Sequence, residues 1–190
     1  METFRGHLDK FIKIDDKEFA SILSFFQELE VKKKQNLMLN DEVCKSIYFV
    51  AKGCLRKFFV NEKGIEQTTE FAIENWWITD TFAYERQMKS DFCIQAVERS
   101  TILMIDLPTQ EELLKKHPVM ERYFRMIYQR AYAASERRIR YLYEMTREEL
   151  YVHFSTQYPW FIQRIPQYLI ASFLGFTPEY LSEIRAKLRS

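Results

Sequence analysis

The chain has 190 residues, 47% of them hydrophobic, with only four glycines and five prolines. That composition excludes a disordered or collagen-like chain and leaves room for one large domain or two small ones. The formal net charge is +1, so no bulk basicity announces nucleic acid, although the distribution of charge matters more than its total.

Residues 1–108 carry about three excess acids and residues 109–145 about three excess bases. The opening "METFRGHLDKFIK" lacks the apolar run of a signal peptide. No stretch approaches the roughly 18 apolar residues of a membrane span. Cys44, Cys54 and Cys93 are odd in number and widely spaced, with no CxxC, and read as inert thiols of a reducing compartment. The expected setting is cytoplasmic, without membrane contact.

Residues 1–30 read as helical. Phe19, Ile22, Leu23, Phe26 and Leu29 fall on one stripe, with Asp15 or Asp16 as the N-cap. From Leu37 to about Asp106 the pattern turns strand-like: "SIYFVAKG", "CLRKFFV", "IEQTTEFA", "CIQAV" and "STILMID" are short runs of β-branched and aromatic residues. "NEKG" (61–64) sits between two of them, with Gly64 at a hairpin position that needs positive φ. Strands so spaced, without long helices between them, predict an antiparallel roll or barrel. The first domain is therefore expected over residues 1–118.

After Pro108, "TQEELLKKH" predicts a short helix that ends before Pro118. Residues 119–145 then run without Gly or Pro, about twice the length of an ordinary helix. A 4-3 spacing passes through Met120, Phe124, Ile127, Ala131, Ala134, Arg138, Tyr141 and Met145, apolar except at Arg138. Such a helix either lies buried against its own β domain or pairs with its copy in a second chain. The second reading is preferred: the two alanines permit close approach, and arginines flank the seam.

The closing segment, 146–190, ends in two helical patterns, Gln167–Leu174 and Pro178 onward. Gly175 is the left-handed residue expected just past a helix end. Thr177 supplies a capping hydroxyl, and Pro178 takes the first helical position, where its missing N–H costs nothing. Leu181, Ile184 and Leu188 form the inward stripe, and Ala171 lets the helices cross closely. This is helix-turn-helix spacing.

With these residues in view, the chain resembles the Crp/Fnr family of transcription regulators over nearly its full length. "IYFVAKGCLRKFFVNEKGIEQTTEF" matches the family's β-roll hairpin, "QYLIASFLGFTPEYLSEIR" its reader helices, and the arginine-rich helix between them its dimer interface. The resemblance implies an α+β fold. Its parts would be an antiparallel β-roll of double-stranded β-helix or jelly-roll type with flanking helices, a dimerisation helix, and a C-terminal winged helix-turn-helix. It also implies double-stranded DNA and a second copy as partners, with RNA polymerase a further candidate.

On the second reader helix, Glu179, Ser182, Glu183 and Ala186 lie opposite the inward stripe and would meet base edges. Arg185, Lys187 and Arg189 sit on the flanks, where phosphate is the expected partner, and the helix start at Thr177 and Tyr180 would take another phosphate. The family often places arginines where this chain has Pro178 and Glu183, whereas Glu179 fits. A second glutamate repels phosphate, which keeps open a dimer that has lost DNA binding and acts through protein contacts.

For the roll, the family's cyclic-nucleotide readers carry a Gly-Glu pair and an Arg-Ser or Arg-Thr pair. Thr79-Asp80 and Phe92-Cys93 stand near those positions, and Asp80 would oppose a phosphate. Cyclic AMP is therefore not an expected ligand. Trp76, Trp77, Phe82, Tyr84 and Phe92, with Asp80 and Arg86, form a candidate pocket for another small effector, and aromatic core is the competing reading.

No cofactor or metal is evident. Three scattered cysteines do not make an iron–sulfur site. His7, His117 and His153 lie in different regions, and no histidine occurs between Leu8 and Lys116, which removes the metal site of roll-type enzymes. Glu66 and Glu70 read as a solvated face. There is no nucleophile elbow, P-loop or dinucleotide fingerprint, so an enzyme is not expected.

Overall fold

The computed structural model describes residues 2–188. The first thirty residues are less helical than their pattern suggests. Helix α1 (Glu2–Leu8) and helix α2 (Asp16–Leu23) are separate, and strand β1 (Gln27–Val31) follows. Asp15 is the cap of α2, its Oδ1 accepting the Glu18 N–H at 2.7 Å. Leu29, expected on the helical stripe, lies on β1, which pairs along its whole length with the strand at Ser100–Asp106. A ladder formed with a distant partner overrides local helical periodicity.

The remaining strands are β2 (Asn36–Met38), β3 (Ser46–Lys52), β4 (Cys54–Val60), β5 (Glu66–Ile73), β6 (Trp77–Ile78), β7 (Cys93–Ala96) and β8 (Ser100–Asp106), with helix α3 (Thr81–Arg86) between β6 and β7. They form two antiparallel four-stranded sheets in the orders β1-β8-β3-β6 and β2-β7-β4-β5. Apart from the β4–β5 hairpin, consecutive strands alternate between sheets, which is the winding of a β-roll. Gly53 turns β3 into β4 at φ +104°, and any Cβ there would lie 2.7 Å from the Ser100 Cα, so only glycine fits. At the β4–β5 hairpin the Asn61 Oδ1 accepts from the Lys63 and Ile65 amides, both at 3.0 Å, with Gly64 in the left-handed region as expected.

An aromatic cluster centres the core. Phe4 packs on Phe49 (ring centroids 4.9 Å apart) and on Phe26 (5.1 Å), and Trp77 packs on Phe49 at 5.2 Å and Phe124 at 5.4 Å. Its polar tips are tied together. The Trp77 Nε1–H donates to the Tyr123 hydroxyl at 2.8 Å, and His7 Nδ1 lies 2.9 Å from the same oxygen. Burial pushes the Tyr123 phenol well above its ordinary range. Ser21 Oγ and His117 Nε2 meet at 2.9 Å, with Glu18 Oε1 3.3 Å from the other ring nitrogen.

Beyond the strands come α4 (Leu107–Lys116), capped by Asp106, and α5 (Val119–Glu144). They are followed by α6 (Arg147–Gln157), α7 (Pro159–Arg164), α8 (Gln167–Leu174) and α9 (Pro178–Lys187). Helix α6 opens with a capping box: the Thr146 hydroxyl accepts the Glu149 N–H, and the Glu149 carboxylate accepts the Thr146 N–H at 2.8 Å. Among the described residues no strand follows β8, so the expected wing has no counterpart there. The chain divides into two compact units, Met1–Phe59 with Thr69–Tyr128, and Val60–Thr68 with Gln129–Ser190. The division falls within β4, between Phe59 and Val60, within β5, between Thr68 and Thr69, and within α5.

Candidate nucleic-acid interface

Helices α8 and α9 form through the local chemistry their sequence carries. Gly175 ends α8 at φ 77°, ψ 28°, and the Phe176 N–H closes on the Ala171 carbonyl at 2.8 Å. The Thr177 hydroxyl caps α9 by accepting the Tyr180 N–H at 3.2 Å, and Pro178 opens the helix. Ile170, Ala171, Leu174, Leu181 and Ile184 are buried. Leu188, expected on the inward stripe, is instead exposed at 56%, one turn past the point where α9 meets its support.

The outward face is Glu179, Ser182, Glu183 and Ala186, all exposed. Ser182 donates its hydroxyl back to the Pro178 carbonyl at 2.9 Å, and the Thr177 hydroxyl is committed to the cap. Tyr180 is half-buried against Phe176, with the Arg147 guanidinium 5.6 Å above its ring. Arg185 is half-buried. Lys187 donates to Glu148 Oε1 of α6 at 2.9 Å, and that hydrogen bond and charge hold its ammonium above the ordinary lysine range. Arg189 lies outside the described residues. The reader face is therefore acidic at its centre, and its far basic end is already engaged. A groove of about 450 Å³ beside it, lined by Glu148, Glu149, Val152, His153 and Leu188 among others, adds carboxylates rather than cations.

The long helix departs from the expected seam. Met120 and Phe124 are buried in the aromatic core, and Ile127 is packed against it. Arg138 turns to α8, donating to the Phe173 carbonyl at 2.8 Å with its guanidinium 3.9 Å over the Phe173 ring. Tyr141 stacks on His153 at 4.5 Å. Only Ala131 and Ala134 of the expected set are exposed. One position along the helix, a second 4-3 series stands in the open: Tyr128 (39% exposed), Tyr132 (67%), Ser135, Ile139 (53%) and Leu142 (51%). The sequence admits both templates, and choosing between them requires knowing which side of the helix the roll and α8 occupy.

The candidate effector residues do not converge. Trp76 and Phe82 are exposed, and the Arg86 guanidinium lies 3.9 Å over the Phe82 ring. Trp77 belongs to the aromatic core. Tyr84 is buried and donates to Gln110 Oε1 at 2.9 Å. Asp80 is buried as the cap of α3, one oxygen accepting the Ala83 N–H and the other the Ser90 hydroxyl at 2.7 Å.

Phe92 lies 5.5 Å from the Lys57 ammonium and 6.1 Å from the Phe59 ring. Lys57 itself donates to the Thr79 carbonyl at 2.9 Å and pairs with Glu70 at 2.7 Å. Glu70 is thus an ion-pair partner rather than part of a solvated face. Strand alternation puts Lys57 and Glu70 on the same sheet face as the core residues Leu55 and Ala72. This pair was not foreseen. The cross-strand meeting of opposite charges was its only trace in the sequence.

An antiparallel roll, a long helix and a capped helix-turn-helix follow one another along the chain, and solved structures that include a Crp/Fnr-family regulator share this fold. No protein-family model matches the chain, and no curated protein matches it. Among solved structures it is similar to FixK2 from Bradyrhizobium japonicum, at 15% identity over 86% of this chain and 84% of that one, with a TM-score of 0.73. A CooA mutant from Carboxydothermus hydrogenoformans is 17% identical over 94% and 86%, with a TM-score of 0.71. A Crp/Fnr-family regulator from Eubacterium rectale, described as putative, is 14% identical over 93% and 84%, with a TM-score of 0.70. The shared property is the fold.

Proposed function

We propose that the chain is a Crp/Fnr-type transcription regulator that reads duplex DNA as a homodimer through α9. The observation that carries this reading is the α8–α9 pair, in which cap, turn and inward stripe leave one helix face, Glu179 to Ala186, free of intramolecular packing. Glu179 and Glu183 suit cytosine amino groups, and Arg185 a phosphate. Neighbours of the fold include a global regulator from Xanthomonas campestris and the Crp/Fnr-family regulator, which supports a regulatory reading over an enzymatic one.

The second copy is supplied at Tyr128, Tyr132, Ser135, Ile139 and Leu142, whose spacing suits a parallel helix pair. In a two-fold dimer the readers stand about 34 Å apart, so the operator is an inverted repeat. An effector, where there is one, acts by shifting the hinge near Glu144–Arg147. It is not cyclic AMP, because Asp80 and Lys57 are both internally satisfied and no glycine between Gly64 and Gly175 admits a phosphate. Calorimetric titration with cyclic AMP is expected to give no heat, and a tight, displaceable isotherm would refute this part.

Selection of bound sequences from random duplexes at low salt tests the whole. Recovery of an inverted repeat with half-sites one helical turn apart is the expected result. The acidic reader face and the Lys187–Glu148 pair favour one alternative, a dimer that no longer binds DNA. No enrichment, with or without cell extract, would establish it.

A further inference from the structure

Strand β5 lies at the end of its sheet, in the order β2-β7-β4-β5, so one of its edges has no strand partner among the described residues. Backbone groups on a free edge need another donor or acceptor. Near the start of β5 a single side chain serves them. The Ser172 hydroxyl, on α8, accepts the Thr68 N–H at 2.8 Å and donates to the Glu66 carbonyl at 2.8 Å, and it lies 3.2 Å from the Thr68 hydroxyl. Residues 66 and 68 present their N–H and C=O groups to the same side of a strand, so one hydroxyl bridges both. Thr68 is 3% exposed. The next residue of α8, Phe173, is the one whose carbonyl Arg138 of α5 takes. The first reader helix is therefore held at two consecutive residues, by a sheet edge and by the long helix.

The other end of the same strand segment meets the roll's internal charge. Thr69 donates its hydroxyl to the Lys57 carbonyl at 3.2 Å, and Glu70 holds the Lys57 ammonium. Only Thr69 thus lies between the serine clasp, at Glu66 and Thr68, and the charged pair at Glu70.

We infer that the Ser172 clasp is a coupling contact, through which a displacement of β5 at the Lys57–Glu70 pair is delivered to the reader helices. A serine clasp suits this purpose because its two hydrogen bonds exchange readily with water, unlike the apolar packing of Leu181 and Ile184. The regulatory half of the inference rests on the DNA-reading function proposed above.

Hydrogen exchange in the full-length chain tests the clasp first. Ser172→Ala is expected to raise exchange at residues 66–68 at least about tenfold while leaving α9 protected, and Ser172→Thr is expected to restore protection. Glu70→Gln, which leaves Ser172 intact, is expected to loosen the same amides. Affinity for the selected duplex is then expected to differ from wild type by at least about fivefold in Ser172→Ala, a rise meaning that the clasp restrains the reader and a fall that it supports it. Loss of protection at 66–68 with unchanged affinity would overturn the coupling, as would Glu70→Gln leaving those amides undisturbed. If no duplex is selected, the DNA reading fails, and the Glu70→Gln exchange experiment still decides whether the pair and the clasp communicate.

Discussion

In the first compact unit, polar side chains inside the fold are matched to one another. His7 and Trp77 both meet Tyr123, Ser21 meets His117, Ser90 meets Asp80, and Lys57 meets Glu70. In the second unit several polar contacts sit on the surface of short helices: Lys187 on Glu148, Arg147 over Tyr180, and Thr146 with Glu149. Buried matched pairs are costly to break, because each partner is then left unsatisfied in a low-dielectric setting. Surface pairs are exchanged with solvent or with an incoming ligand at little cost. The roll's charges are thus matched inside it, whereas the surface contacts of α6 and α9 lie where solvent reaches them.

The contrast can be broken most severely in the aromatic core. Phe49→Ala is expected to cost about 4 kcal/mol, and chemical denaturation followed by tryptophan fluorescence should report it while exchange at α8 and α9 stays unchanged at low denaturant. Next comes Gly53→Ala, which forces a Cβ onto Ser100 at positive φ. A cost of about 3 kcal/mol is expected in the same assay, from strain plus overpacking.

The dimer seam follows. Tyr132→Asp with Ile139→Asp should raise the dimer dissociation constant at least about 100-fold, or about 2.7 kcal/mol, in sedimentation velocity. The corresponding change at the buried Phe124 should unfold the roll rather than split a dimer. Glu183→Arg sharpens the reader side: affinity for duplex at low salt should rise about fivefold, and no change would mean α9 does not enter a groove.

The smallest effect lies at the α6 capping box. The Thr146 backbone N–H, followed by its hydroxyl, holds the Glu149 carboxyl below its ordinary value. The folded-state pKa being depressed, that stabilisation is complete above the ordinary glutamate pKa of about 4.3 and is lost as pH falls through the lower folded value. Exchange at the first turn of α6 should therefore accelerate only in acid, and Glu149→Gln, which removes the titrating group, should abolish the dependence.

The two regions also differ in how plainly the sequence announces them. The α8–α9 turn was legible residue by residue, because Gly175, Thr177 and Pro178 act on their own neighbours in the chain. The roll was legible as a set of strands, but β1 was not, since its identity depends on β8 some seventy residues on. Of the residues expected to pair across a dimer, Arg138 and Tyr141 are drawn to Phe173 and His153, partners that periodicity alone does not reveal. The candidate effector residues failed to converge for a related reason. Asp80 had a nearer duty as a helix cap, and Trp77 belonged with Phe4 and Phe49.

The Lys187–Glu148 pair bears on how any DNA complex would respond to ionic strength. A lysine that already holds a carboxylate contributes less to the counterion exchange on which salt dependence rests, because engaging a phosphate first sets Glu148 free to be screened by the solution's own cations. The logarithmic salt slope of the wild-type complex should therefore be shallower than its count of basic residues implies. Glu148→Gln should steepen it by up to about one ion per protomer.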